Sequence, residues 1–271
     1  MSGRHRLSTS HGTIVVEEIG QGDLPVVLIH GNSLSREVFR KQLGGALSRK
    51  HRLVAFDLPG HGDSSDAQNA SRTYTLSGLA DAAIEVLALL GLKEVVVVGW
   101  SLGGHIAMEM ASRSTGIRGL LICGAPPVAP QRMAEGFVKT PHMKLAGRRH
   151  FGPSDIDAFG EGIFGVPLPV EFRCAIARAD GLARKTIFAA ARSGAGIDQR
   201  RFVENCPVPL AVVNGSEDPF IKLDYFETPQ YANLWTERCY RLPGLKHAPF
   251  WEAPELFDEL LAKFIDDVAA R

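Results

Sequence analysis

The chain has 271 residues, 45% of them hydrophobic, which is enough apolar material for a large core at a length where α/β folds often form one unit. Its 30 Lys and Arg residues balance 30 Asp and Glu, so bulk charge offers no footing for nucleic acid or an anionic membrane, and neither is expected as a partner. No stretch approaches the apolar length that spans a bilayer, and no apolar signal region follows Met1-Ser-Gly-Arg-His-Arg6. Cys123, Cys174, Cys206 and Cys239 are scattered without a C-x-x-C pair, the pattern of reduced, packed thiols in a cytoplasmic protein.

In chain order, residues 13–19 predict an early strand, in a hairpin with the residues before His11-Gly12. Residues 26–30 read as a buried strand ending at Gly31-Asn32, followed by a helix over 36–48 and a strand over 52–57. Leu58-Pro-Gly-His-Gly-Asp-Ser64 is dense in turn formers and reads as a loop. Helical spacing at Leu79, Ala83, Val86, Leu87 and Leu90 predicts a helix over 76–90, with Gly91 closing it. A run of four valines from Val95 predicts a buried strand, then a helix over 105–113 and a strand over 119–123. Strand and helix in alternation imply a parallel sheet covered on both faces.

The rhythm breaks over 126–205, where prolines precede short helical stretches, among them 170–179 and 182–191. This insertion carries 12 Lys and Arg against 8 Asp and Glu, an excess of 12 − 8 = +4 that a solvated, charged lid face accounts for. Alternation then resumes with strands over 209–214 and 238–242 and a final helix over 254–269. The expected organisation is a core of residues 1–125 and 206–271 with a helical cap over 126–205.

The most informative segment is Gly99-Trp-Ser-Leu-Gly103, which falls between the valine strand and the next helix. G-x-S-x-G by itself also fits an ordinary tight turn. A dinucleotide loop is disfavoured, because it needs glycine where Ser101 stands. At a strand-to-helix turn the pattern has a mechanical meaning. The serine takes a cramped backbone conformation, and the flanking glycines remove side chains that would collide there. The hydroxyl is held up at the sheet edge, over a helix N-terminus that favours developing negative charge.

A neutral serine needs a base, and the base needs an orienting carboxylate. Asn214-Gly-Ser-Glu-Asp-Pro219 follows a buried strand and supplies the acid, with Asp218 preferred and Glu217 as the neighbour that could displace it. Of 9 histidines, His247 lies in the loop after the last strand, from which an imidazole can return to the sheet edge. His105 is expected to pack or bond locally, His30 to shape its loop, and His61 to belong to the Pro59-Gly-His-Gly62 turn. Attack on a carbonyl also requires donors for the oxyanion. The backbone N–H groups of Leu102 and of Asn32, in His30-Gly-Asn-Ser33, are the candidates.

The order Ser, Asp, His resembles the α/β-hydrolase superfamily along nearly the whole chain. His30-Gly31, Asp57-Leu-Pro-Gly-His-Gly-Asp-Ser64, Gly99-Trp-Ser-Leu-Gly-Gly104, Asn214-Gly-Ser-Glu-Asp218 and His247-Ala-Pro-Phe-Trp-Glu-Ala-Pro254 all fit it. The resemblance implies an α/β-hydrolase fold, a mostly parallel central sheet flanked by helices with a helical cap insertion. A narrower resemblance is to the metal-independent N-acyl-homoserine lactone lactonases of this fold, which are quorum-quenching enzymes. It rests on His30-Gly-Asn-Ser33, Gly99-Trp-Ser-Leu-Gly-Gly-His-Ile106 with Glu109-Met110, Pro126-Pro-Val128, Ala179-Asp-Gly-Leu-Ala-Arg184, Asn233-Leu-Trp235 and His247-Ala-Pro-Phe250. Lys246 departs from the superfamily, which usually has glycine before the histidine.

The expected chemistry is acyl transfer from a small-molecule ester or lactone to water through an acyl-enzyme. Ser101 would be the nucleophile, His247 the base and Asp218 its orienter. No cofactor or metal is expected, since neither H-x-H-x-D-H nor H-E-x-x-H spacing occurs. A carboxylesterase for other small esters is the rival within the class, and a hydrolase-like small-molecule receptor with slow turnover is the rival outside it. A haloalkane dehalogenase or epoxide hydrolase would need Asp in place of Ser101. Whether Trp100, Phe220 and Phe250 line a pocket or only pack is open at this level, as is the oligomeric state.

Overall fold

The computed structural model describes residues 2–271. Eight strands form one sheet: β1 (Ser2–Thr9), β2 (Gly12–Ile19), β3 (Val26–Ile29), β4 (Leu53–Phe56), β5 (Val95–Trp100), β6 (Ile117–Cys123), β7 (Leu210–Gly215) and β8 (Tyr240–Leu242). Their order is β1-β2-β4-β3-β5-β6-β7-β8. The β1–β2 hairpin and the β2–β4 pair are antiparallel, and the six strands from β4 to β8 run parallel. Every residue of β3, β4, β5 and β7 is buried, as expected of β-branched runs covered on both faces.

Helices α1 (Leu76–Leu89) and α2 (Leu102–Ala111) pack against one another, and α2 lies on β5 and β6. Between β6 and β7 run α3 (Pro153–Phe164), α4 (Val170–Arg178) and α5 (Gly181–Arg192), with shorter turns around them. The terminal helix α6 (Pro254–Ala269) buries Phe257, Leu261, Phe264, Ile265 and Val268 along one stripe. Each of these contributes roughly 1.5–3 kcal/mol of burial. No helix among the described residues is long and apolar enough to cross a membrane.

The continuous helix expected over 36–48 differs in kind: it is three pieces, Arg36–Phe39, Arg40–Leu43 and Leu47–Lys50. The run starts on a buried anchor, Arg36, its backbone N–H donating to Asp57 Oδ1 at 2.8 Å and its guanidinium bonding Asp57, Asp63 and Glu17. Burial alone would lower the Arg36 pKa, but Asp57 and Asp63 raise it on balance, so the guanidinium stays charged. Farther on, Gly44-Gly45 interrupts the helix, glycine being the poorest helix former after proline.

The positive excess of the insertion is only partly a solvated face. Arg178 pairs with Asp66 and donates to the Ser64 carbonyl, and Glu171 pairs with Arg40. Arg184 is buried and donates to the carbonyls of Arg148, Arg149 and Ala179 and to the Ser33 hydroxyl.

Two buried histidines make stability depend on pH. His30 donates from Nδ1 to the Gly31 carbonyl and accepts the Leu58 N–H at Nε2, 3.0 Å, so both ring nitrogens are used in the neutral form. Burial lowers its pKa from 6.5 to about 4, and lowers that of His61 to about 3. The unfolded chain therefore gains protons that the folded chain refuses as pH falls from about 6.5 toward 4. Stability is full above that window and declines through it. A thermal midpoint measured from pH 7 to 4.5 is expected to drop steadily; a flat profile would contradict it.

Candidate active site

The strand order reverses direction between β3 and β5, which opens a crevice beyond their carboxyl ends, the usual ligand position in open α/β sheets. Ile29 pairs with Gly99, so the segments that follow, Gly31–Asn32 and Ser101–Leu102, emerge side by side. A carbon added at Gly31 would lie 3.3 Å from Ser101 Cβ, which measures how close the two turns are.

Ser101 sits at φ 53°, ψ −118°, a conformation glycine prefers and one that costs a serine about 1–3 kcal/mol. The turn is held by its N–H donating to the Cys123 carbonyl at 2.8 Å, and by Gly104 N–H donating to the Ser101 carbonyl at 2.9 Å. The motif glycines are required by contact. A Cβ at Gly99 would stand 2.3 Å from the Gly103 carbonyl oxygen, and one at Gly103 would stand 2.1 Å from that of Ile29. Helix α2 begins at Leu102, one turn earlier than its apolar spacing suggests, so its N-terminus lies directly at Ser101. The Ser101 hydroxyl has no hydrogen-bond partner among the described residues.

Asp218 follows β7 and His247 follows β8. His247 Nδ1 meets Asp218 Oδ2 at 2.7 Å, and both residues are buried. The other carboxylate oxygen accepts the Phe220 N–H at 2.9 Å, which fixes the carboxylate plane. With Nδ1–H donated to the carboxylate, the neutral imidazole has its lone pair on Nε2. Glu217, the alternative acid, is exposed. Lys246 is also exposed. Its backbone N–H, with that of Ala248, donates to the Glu252 carboxylate at 2.9 and 3.1 Å, so the loop closes on Glu252 without a glycine.

Asn32 and Leu102 are buried, and neither backbone N–H has a protein acceptor among the described residues. Buried N–H groups without partners are rare, and two side by side suit a developing negative charge. The Asn32 side chain is occupied elsewhere, donating from Nδ2 to the Ala146 carbonyl at 2.9 Å. Ser33, next in the turn, has φ 62°.

Ser101, His247, Asn32 and Leu102 line one cavity that opens to solvent. Its walls are largely apolar and drawn from the insertion, including Val128, Met133, Met143, Phe159, Ile163 and Ile187. Trp100 and Phe220 line it, whereas Phe250 stands behind Trp100, ring centroids 5.1 Å apart. Of the other histidines, His30 and His61 are sealed in the core, while His105 reaches the cavity from α2 and His142 from the insertion, its Nδ1 on the Ala158 carbonyl at 2.9 Å.

Three positioning features escape the sequence reading. The Trp100 indole donates from Nε1 to the His247 carbonyl at 2.8 Å, tying the histidine loop to the residue before Ser101. Asn214 Oδ1 accepts the Gly124 N–H at 2.8 Å, and Gly124 lies against the His247 ring, where a Cβ would stand 2.7 Å from Cε1. Arg184 reaches from α5 to Ser33, beside Asn32. A tryptophan inside G-x-S-x-G and an asparagine ending a buried strand are the only sequence traces of the first two.

Comparisons with known proteins agree with this architecture. The model of the alpha/beta hydrolase family matches residues 26–260. The crystal structure of N-acyl homoserine lactonase AidH complexed with N-butanoyl homoserine superposes with a TM-score of 0.96 at 44% identity, covering 98% of this chain and 97% of that one. A pimeloyl-[acyl-carrier protein] methyl ester esterase of Neisseria meningitidis is 29% identical over 257 residues, 90% of this chain and 77% of the relative. The AB hydrolase superfamily protein YisY of Bacillus subtilis is 23% identical over 97% of this chain and 98% of its own length. Fold, site geometry and these matches lead to one conclusion: the chain belongs to the alpha/beta hydrolase family.

Proposed function

We propose that this protein is a serine hydrolase of carboxylic ester or lactone bonds, and that its substrates are N-acyl homoserine lactones. The observation that carries the mechanism is the buried Asp218–His247 pair, 2.7 Å apart, sharing one apolar cavity with a strained Ser101. The similarity to the AidH lactonase, 44% identity across nearly the full length, supports the substrate class. Residues 126–205 act as the cap over the cavity, and residues 1–125 and 206–271 form the hydrolase core.

In the first step His247 Nε2 takes the Ser101 proton as Oγ bonds to the lactone carbonyl carbon. Asp218 holds the imidazolium, and the Asn32 and Leu102 N–H groups donate to the carbonyl oxygen as it gains charge. Collapse breaks the ring C–O bond, and His247 returns its proton to the departing oxygen. That alcohol stays tethered to the acyl group. Water, deprotonated by His247, then attacks the seryl ester, and His247 returns that proton to Ser101 Oγ as the acyl–Oγ bond breaks and N-acyl homoserine leaves. The apolar walls would take the acyl chain, and the polar floor the lactone.

The test is a panel of N-acyl homoserine lactones of graded chain length beside simple alkyl and aryl esters, followed by acid release at constant pH. Turnover of the lactones is the expected result. Turnover of simple esters alone would make the protein a carboxylesterase, and tight binding without turnover would make it a receptor.

A further inference from the structure

We propose that His105 selects substrates whose acyl chain carries a hydroxyl group on the third carbon, over those with an unsubstituted or a 3-oxo chain. This rests on the lactonase reading and extends it from the scissile bond to the chain. Asn32, Ser101, Leu102 and His247 form the polar floor of the cavity. Besides the Trp100 indole, the remaining side chains with polar groups in its lining are His105, Gln131, His142 and Gln199. Of these, His105 follows the nucleophile most closely in the chain, four positions on along α2. Its N–H approaches the Ser101 carbonyl at 3.3 Å.

The hydrogen-bond network sets which way this imidazole can bond. Gln199 is buried, and its amide nitrogen donates to the His105 carbonyl at 3.4 Å, which turns Oε1 toward the ring. His105 Nδ1 meets that oxygen at 2.7 Å and must donate to it. In the neutral ring Nε2 is then an acceptor, and it has no partner among the described residues. Burial lowers the His105 pKa, which keeps the ring neutral at pH 7. Phe137 packs against the ring, centroids 5.9 Å apart, so the acceptor stands in apolar surroundings.

His105 and Ser101 are neighbours at the start of α2, the His105 N–H lying 3.3 Å from the Ser101 carbonyl oxygen. In an N-acyl homoserine lactone, a trans amide separates the ring Cα from the second acyl carbon by about 3.8 Å. One further bond at each end places the third acyl carbon roughly 6 Å from the carbonyl that Ser101 attacks. A hydroxyl there donates to Nε2. A keto oxygen there brings a second acceptor against the first, and a methylene strips water from Nε2 and returns nothing.

The test compares kcat/KM for three lactones of equal chain length: 3-hydroxy, unsubstituted and 3-oxo. The wild-type protein is expected to favour the 3-hydroxy chain by roughly three- to tenfold over each of the others. His105→Phe keeps a ring against Phe137 but removes the acceptor, and should abolish that advantage. Gln199→Leu frees the tautomer and should shrink it. Because each ratio is taken within one protein, a general loss of folded material cancels. Equal turnover of the three lactones by wild type, or a preference that survives His105→Phe, would overturn the role of His105 and leave the lactonase reading standing. Hydrolysis of none of the three would overturn both.

Discussion

Replacing Ser101 with alanine is expected to lower kcat/KM by about 10^4- to 10^6-fold, the range seen when the nucleophile of a serine triad is removed. The fold should survive the change. Alanine has the same backbone restrictions as serine at φ 53°, ψ −118°, and the turn is held by main-chain bonds to Cys123 and Gly104 that need no hydroxyl. Glycine at the same position separates chemistry from strain. Ser101→Gly should be equally inactive but more stable by about 1 kcal/mol, because glycine adopts that conformation without the Cβ penalty. Kinetics with one short-chain lactone and thermal unfolding of both variants check the pair of claims. Activity retained in Ser101→Ala would remove the serine from the chemistry, and a less stable Ser101→Gly would show that the turn stores no strain.

The second large effect concerns the acid. Asp218→Asn is expected to cost about 10^4-fold in kcat, while Glu217→Gln should leave the rate within about twofold. The difference follows from what each side chain touches. Asp218 Oδ2 accepts from His247 Nδ1 at 2.7 Å, and Oδ1 accepts the Phe220 N–H at 2.9 Å. An asparagine that keeps its oxygen toward the Phe220 N–H presents its NH2 group to Nδ1. The imidazole must then accept there and carry its proton on Nε2, which is the wrong tautomer to receive a proton from Ser101. Glu217 is exposed to solvent and makes no side-chain bond among the described residues. Activity that survives Asp218→Asn but not Glu217→Gln would transfer the acid to Glu217.

Much of this site could be read from one sequence because its parts sit at strand ends. The valines of β5 announce a buried strand, so the serine after them has a known address at the sheet edge. The segments after β3, β7 and β8 are read the same way, and the alternation implies the parallel sheet, while the α/β-hydrolase fold itself is what the family resemblance of these motifs implies. Local patterning fails where distant contacts decide. Nothing in residues 36–48 shows that Arg36 is anchored on Asp57, 21 positions away. The choice between Asp218 and Glu217 is likewise a matter of burial, which adjacent residues in a turn do not reveal. Lys246 is the converse case, an unusual residue whose side chain lies in solvent while its backbone bonds Glu252. The insertion was legible as helical, but its use of Arg178 and Arg184 to grip the core was hidden in an apparent excess of charge.

The central claim is that Ser101 is the nucleophile of a lactone-cleaving site. It is tested most directly by titrating the protein with a fluorophosphonate, which forms a stable bond with an activated serine hydroxyl. The account predicts one label per chain, on the peptide carrying Ser101. Lactonase activity should fall in proportion to labelling, and N-hexanoyl homoserine lactone should slow the reaction. Full labelling with activity intact, or lactone turnover by a protein whose Ser101 does not label, would contradict it.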